Sequence, residues 1–321
     1  MNTHRFIVVL ALAGLLAPVA MAEPGAAAAP KPEPGKVAAP KPAALTLKLD
    51  KALVMGASVS AGFGTVWTVE VPRGKDDPAE GPAPTRQSEV TLADMLAAAS
   101  ADPSARPELI ADKFFFSSPD KVAKRQFDRM MEAKPSVVFA VDYLFWHAYG
   151  VKPSERRKAM VIEGLERLAK VEGPIVIGDI PNMRHARFMI SEQQMPSEAQ
   201  HEEFNQLIRD WAKERKNVVV VSLFDLVKKA RAGERIEMGG VVYEGAKSKG
   251  LLAADGLHAT AQGMAALAGE ALKGLEEKKL LPAGAVWERD PAIMLRRLRP
   301  AALSEGAEKP AREPVPAGAG K

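Results

Sequence analysis

Ala52-Leu53-Val54-Met55-Gly56-Ala57-Ser58 decides how this chain is read. A short apolar run stops at a glycine, the pattern of a strand buried on both faces. Ser136 to Val141, Pro174 to Gly178 and Asn217 to Ser222 repeat the pattern, and Leu109 to Phe116 reads as a further strand. Helical patterns lie between them: Val90 to Ala99, Lys121 to Glu132, Ser154 to Val171, Ser197 to Glu214, Phe224 to Ala232 and Thr260 to Glu277. Doubly buried strands alternating with helices predict an α/β fold, a three-layer α/β/α sandwich with a five-stranded parallel sheet. Residues 65 to 88 read as a long polar loop, suited to substrate contact.

Ligands of such sheets bind beyond the carboxyl ends of the strands. Ser58, Asp142, Asp179 and Ser222 fall at those ends. Asp255-Gly256-Leu257-His258 precedes the last helix and is expected to reach the same rim. A serine hydroxyl needs a base, and the base needs a group that fixes its tautomer. Ser58, His258 and Asp255 supply those three chemical types.

The ends of the chain differ in character. Arg5 precedes an apolar run from Phe6 to Leu16, and Ala20-Met21-Ala22 has the small-x-small form of a cleavage site. Residues 1–22 therefore read as a signal peptide and the protein as exported, periplasmic or secreted. The apolar run is short for a bilayer, so no membrane span is expected after cleavage. Residues 23–46 are rich in Ala, Pro and Lys and read as a disordered linker. A single domain follows over 47–285. Residues 286–321 form an extension, expected to be mostly disordered from about residue 304. The 321 residues contain no cysteine, which excludes disulfides, thiolate metal sites and a lipidated cysteine. The net charge of +4 resides partly in the tails and does not indicate nucleic-acid binding. It suits loose association with an acidic envelope surface.

Val54-Met55-Gly56-Ala57-Ser58-Val59-Ser60-Ala61-Gly62-Phe63-Gly64 resembles the first block of the SGNH hydrolases, the GDSL-type esterases and lipases. Asp255-Gly256-Leu257-His258-Ala259-Thr260-Ala261-Gln262-Gly263 resembles their last block. The resemblance spans roughly residues 50 to 275 and rests on the order, spacing and flanks of the two blocks. It implies a flavodoxin-like sandwich and ester hydrolysis through an acyl-serine. Ser58 would be the nucleophile, His258 the general base and acid, and Asp255 the residue orienting the ring. The implied substrate is a small-molecule or glycan ester, such as an acyl or acetyl ester of an envelope polysaccharide or lipid.

Three positions depart from the family pattern. Ala57 stands in place of the first-block aspartate. Ser117-Ser118-Pro119 occupies about the place of the second-block glycine. Ala140-Val141-Asp142-Tyr143-Leu144-Phe145-Trp146 contains no third-block asparagine. An ionised Asp142 only accepts hydrogen bonds and opposes an oxyanion. Loss of one oxyanion donor costs about 10²–10³ in rate. Ser117 and Asn182 are the substitutes at hand, and Asp142 is either a pocket residue or a buried structural carboxylate. These departures motivate a second reading: a catalytically weak or inactive member of the fold, acting as an envelope binding or assembly module.

Other residues have blander expectations. Ser60 caps or packs, and Asp179 satisfies the turn before Pro181. Tyr143, Phe145, Trp146 and Tyr149 pack the core or form a wall for an acyl group or sugar ring. His147 and His185 are surface or packing residues, and His201, on a charged helix, is expected to be solvated. No cofactor or metal is assigned, because Asp255 and His258 alone are too few ligands.

Overall fold

Valine-rich runs bury both faces of a strand, and here they pair side by side. The computed structural model describes residues 45–46, 48–70, 73, 81–82, 84–100, 102, 106–186 and 188–298. The central strands are β1 (Ala52–Val54), β2 (Glu108–Leu109), β3 (Val137–Ala140), β4 (Ile175–Gly178) and β5 (Val218–Val221). All pair in parallel, in the order β2-β1-β3-β4-β5. That is the flavodoxin-like strand order, whose ligand crevice opens where the order reverses, between β1 and β3.

The numbered helices are α1 (Leu92–Ala99), α2 (Pro119–Ala133), α3 (Ser154–Leu168), α4 (Glu198–Lys213), α5 (Leu223–Ala232), α6 (Ala261–Glu277) and α7 (Pro291–Arg297). Alternate strand residues feed two cores. Ala52, Val54, Val137 and Phe139 pack with Leu92, Leu96, Leu272 and Met294 of α1, α6 and α7. Leu53, Met55, Val138 and Ala140 pack with Val122, Val161, Leu165 and Ile208 of α2, α3 and α4. The result is a three-layer α/β/α sandwich. Burying each of the valine, leucine, isoleucine, phenylalanine and methionine side chains among these contributes about 1.5–3 kcal/mol before the entropy cost of ordering the chain. Helix starts are fixed locally: Thr91 accepts from Asp94 N–H, Ser197 from Gln200 N–H and Thr260 from Gly263 N–H.

Two expectations about elements need correction. The second strand is not Leu109 to Phe116 but only Glu108–Leu109; Phe115–Ser117 turns into a 3₁₀ helix. Phe114 and Phe116 are apolar yet 62 % and 50 % exposed, so that run was never a buried strand. The segment 65–88 is not a plain loop. Val66–Glu70 and Thr85–Glu89 form an antiparallel hairpin whose intervening residues lie mostly outside the described ones.

The fold also uses both margins of the expected domain. Leu45–Thr46 pairs in parallel with Ala285–Val286. Trp287, Met294, Leu295 and Leu298 of the extension join the core. The expected signal peptide, residues 23–44 of the linker and the tail from 299 lie outside the described residues. Among the described residues no helix is long and apolar enough to cross a membrane.

Candidate active site

The turn after β1 is held from two layers. Gly56 has φ +141°, and a Cβ there would lie 2.1 Å from Asp142 Oδ1, so only glycine fits. Its N–H donates to Gln126 Oε1 at 2.9 Å, and its carbonyl accepts from Gln126 Nε2 at 2.8 Å. Gln126 comes from α2 and is buried. Asp142, at the end of β3, takes the rest of the turn. Its Oδ1 accepts from Ala57 N–H at 2.9 Å and from the Ser60 hydroxyl at 2.6 Å. Its Oδ2 accepts from Val59 N–H at 2.9 Å and from Ser60 N–H at 3.2 Å.

Ser58 is the exception in this turn. The N–H groups of residues 56, 57, 59 and 60 are all engaged, and that of Ser58 donates to no group among the described residues. Asp142 is therefore a structural carboxylate that shapes the turn. Burial pushes its pKa up, and the hydrogen bonds from Ser60, Ala57 and Val59 oppose that rise.

The second half of the site is a local device. Asp255 Oδ1 accepts from Leu257 N–H at 2.9 Å and from His258 N–H at 3.0 Å. Its Oδ2 lies 2.7 Å from His258 Nδ1. A carboxylate only accepts, so Nδ1 carries the hydrogen and Nε2 is left as the acceptor. Nε2 lies 3.0 Å from Ser58 Oγ. Burial alone would raise the Asp255 pKa, but hydrogen bonds from the His258 N–H and ring, and from Leu257, outweigh it and hold the carboxyl low. His258 is 2 % exposed, and the Phe63 ring covers it with centroids 4.9 Å apart. Thr65 Oγ1 donates to Ala259 O at 2.9 Å, which ties the His258 loop to the chain just after Ser58.

An apolar cavity of about 90 Å³ opens beside Ser58. Met183, Leu223, Leu226, Leu251 and Leu257 form much of its wall, with Asp142 among its few polar groups. A hydroxyl bonded to a correctly oriented imidazole, beside one open N–H and an apolar recess, is equipped for nucleophilic attack on an acyl carbonyl.

The remaining expected residues lie elsewhere or act otherwise. Ser117 is exposed, and both its N–H and its hydroxyl already donate to Phe114 O. Asn182 lines a neighbouring cavity that also holds charged side chains, and its Oδ1 accepts from Arg184 N–H at 3.1 Å. Ser117 therefore keeps no free donor for the site. Ser60 serves Asp142. Asp179 caps the start of α5 through Phe224 N–H at 2.7 Å. Phe145 and Tyr149 stack at 4.2 Å in the core, with Phe145 also reaching the apolar cavity.

His147 is buried, its pKa pushed down to about 3 by burial and the nearby Arg167 charge. His185 Nε2 lies 2.6 Å from Gly256 O and braces the His258 loop. His201 is not solvated as expected but 1 % exposed, with Nε2 3.0 Å from Tyr149 Oη. Positions 201, 204, 205 and 208 are the buried stripe of α4, and that spacing was a signal the charged neighbours obscured. Gln126 and Phe63 carried no sequence signal of their own. Among the described residues no group of three or more His, Asp or Glu side chains is arranged to hold a metal.

No family model, curated protein or solved structure matches this chain.

Proposed function

We propose that this protein is an exported serine esterase of SGNH type, cleaving an ester through an acyl-serine intermediate. The observation that carries the reading is the continuous line Asp255–His258–Ser58, at 2.7 Å and 3.0 Å. His258 Nε2 takes the Ser58 proton as Oγ bonds to the acyl carbonyl carbon. The oxyanion faces the open Ser58 N–H. As the tetrahedral centre collapses, His258 returns the proton to the departing alcohol oxygen. Water, deprotonated by His258, then attacks the acyl-serine, releasing the acid and restoring Ser58. The apolar cavity suits an aliphatic acyl group, and the leader pattern suits an envelope lipid or polysaccharide ester.

The second reading, a catalytically weak or inactive binding module, draws on the engaged Ser117 N–H and on Asn182 lining the neighbouring cavity. Hydrolysis of p-nitrophenyl butyrate separates the two. The esterase reading expects saturable turnover that falls by at least about 10³-fold in Ser58→Ala and in His258→Ala. A fluorophosphonate would label Ser58. Equal rates in wild type and Ser58→Ala, with no label, would favour the binding module.

A further inference from the structure

Helix α5 has two working faces. Leu223, Leu226, Val227 and Ala230 line the apolar cavity beside Ser58. Phe224, Lys228 and Arg231, spaced i, i+4 and i+7, line a second cavity of about 380 Å³. The loop after β4 divides in the same way. Pro181 and Met183 face the apolar cavity, whereas Asn182 and Arg184 face the other. The two cavities thus lie back to back, separated by one helix and one loop.

Their chemistry differs. The second cavity carries Arg184, Lys228 and Arg231 against one carboxylate, Glu198. Neither Lys228 nor Arg231 forms an ion pair among the described residues. His201 adds no charge at neutral pH, because burial holds its pKa below the ordinary value. Its ring nitrogens face Tyr149 Oη and Ser197 O at 3.0 Å and 3.1 Å. Arg231 is near enough to act on His185, whose pKa is lowered by burial first and by this charge in addition. His185 in turn touches Gly256, between Asp255 and His258.

We infer that this second cavity holds an anionic group, a phosphate or a carboxylate, carried on the alcohol side of the ester cleaved at Ser58. The inference rests on the esterase reading for its kinetic form. With the acyl chain in the apolar recess, the alcohol portion extends over the rim at Pro181–Arg184, toward the cations. Guanidinium and ammonium groups recognise phosphate oxygens through charge-assisted hydrogen bonds. Phe224 presents an apolar ring to the carbon skeleton joining ester and anion.

Two esters that differ only in the anion test this: 1-butyrylglycerol and 1-butyrylglycerol 3-phosphate. Wild type should prefer the phosphorylated ester in kcat/KM by about tenfold or more. That ratio should fall toward one in the Lys228→Ala/Arg231→Ala double variant and be partly kept by Arg231→Lys. The ratio is internal to each preparation, so a partly misfolded variant does not disturb it. A wild-type ratio near one, or an unchanged ratio in the double variant, overturns the inference while leaving the esterase reading standing.

Binding is read separately in Ser58→Ala by calorimetry. Tighter binding of the phosphorylated than of the neutral ester, lost when Lys228 and Arg231 are also replaced, supports the anion site even where no ester is turned over. Equal binding of the two esters counts against it. Inorganic phosphate separates a free anion from a substrate group. Competition against the phosphorylated ester alone supports the inference, and equal effects on both esters oppose it.

Discussion

The turn after β1 and the loop before α6 each depend on one aspartate, and their surroundings make opposite devices of the two. Asp142 is 6 % exposed and gives both oxygens to the turn that carries Ser58. Burial dominates, so its pKa is raised. The Asp255 side chain is 27 % exposed and gives one oxygen to its own loop and the other to the His258 ring. There the donated hydrogen bonds dominate, and its pKa is lowered. One aspartate holds the turn that carries Ser58; the other orients the His258 ring. Access to water and the donors it meets decide the role of a carboxylate.

The sharpest break of that contrast is Asp255→Asn. The amide offers an N–H to Nδ1 and favours the wrong tautomer, so ester turnover should drop by about 10⁴-fold. The melting temperature should move little, and a rate within tenfold of wild type would remove Asp255 from its assigned role. Asp142→Ala should act mainly on stability. Three N–H groups, two of them buried, and one buried hydroxyl lose their acceptor, at a cost of about 3–5 kcal/mol in urea unfolding. A loss under about 1 kcal/mol would mean that water replaces the carboxylate there.

Gly56→Ala probes the same turn from the other side. A methyl group at φ +141°, aimed at Asp142 Oδ1, should cost about 2 kcal/mol and slow labelling of Ser58. Normal stability would show that the turn yields more than its hydrogen bonds suggest. The smallest effect is in the pH profile of unfolding. Asp142 binds its proton more tightly when folded, so its contribution is complete below about pH 3.9 and is lost as pH rises through its raised pKa. Asp255 does the reverse, contributing fully above about pH 3.9 and losing that as pH falls through its lowered pKa. Each Asn variant should flatten its own limb, by at most about 1.4 kcal/mol per pH unit. Limbs of the same sign would dissolve the comparison.

The sheet was legible because β1, β3, β4 and β5 are short apolar runs bounded by turn residues. β2 is shorter than its apolar sequence implies because Phe114 and Phe116 sit on the rim, where apolar residues escape burial. The hairpin Val66–Glu70/Thr85–Glu89 was missed because its second strand, Thr85-Arg86-Gln87-Ser88-Glu89, is largely exposed and shows no alternation. The Asp255–His258 pair was readable since its members lie three positions apart. Gln126 and Asp142 were not readable as supports of the Ser58 turn, because they reach it across 70 and 82–85 residues. Spacing along a chain carries no record of such distant pairings.

The hydroxyl and the imidazole that meet in the site are 200 residues apart in the sequence. A growing polypeptide therefore possesses its serine long before it possesses the histidine that bonds to it. On the proposed esterase reading, any product of translation or degradation that ends before Asp255 is chemically quiet.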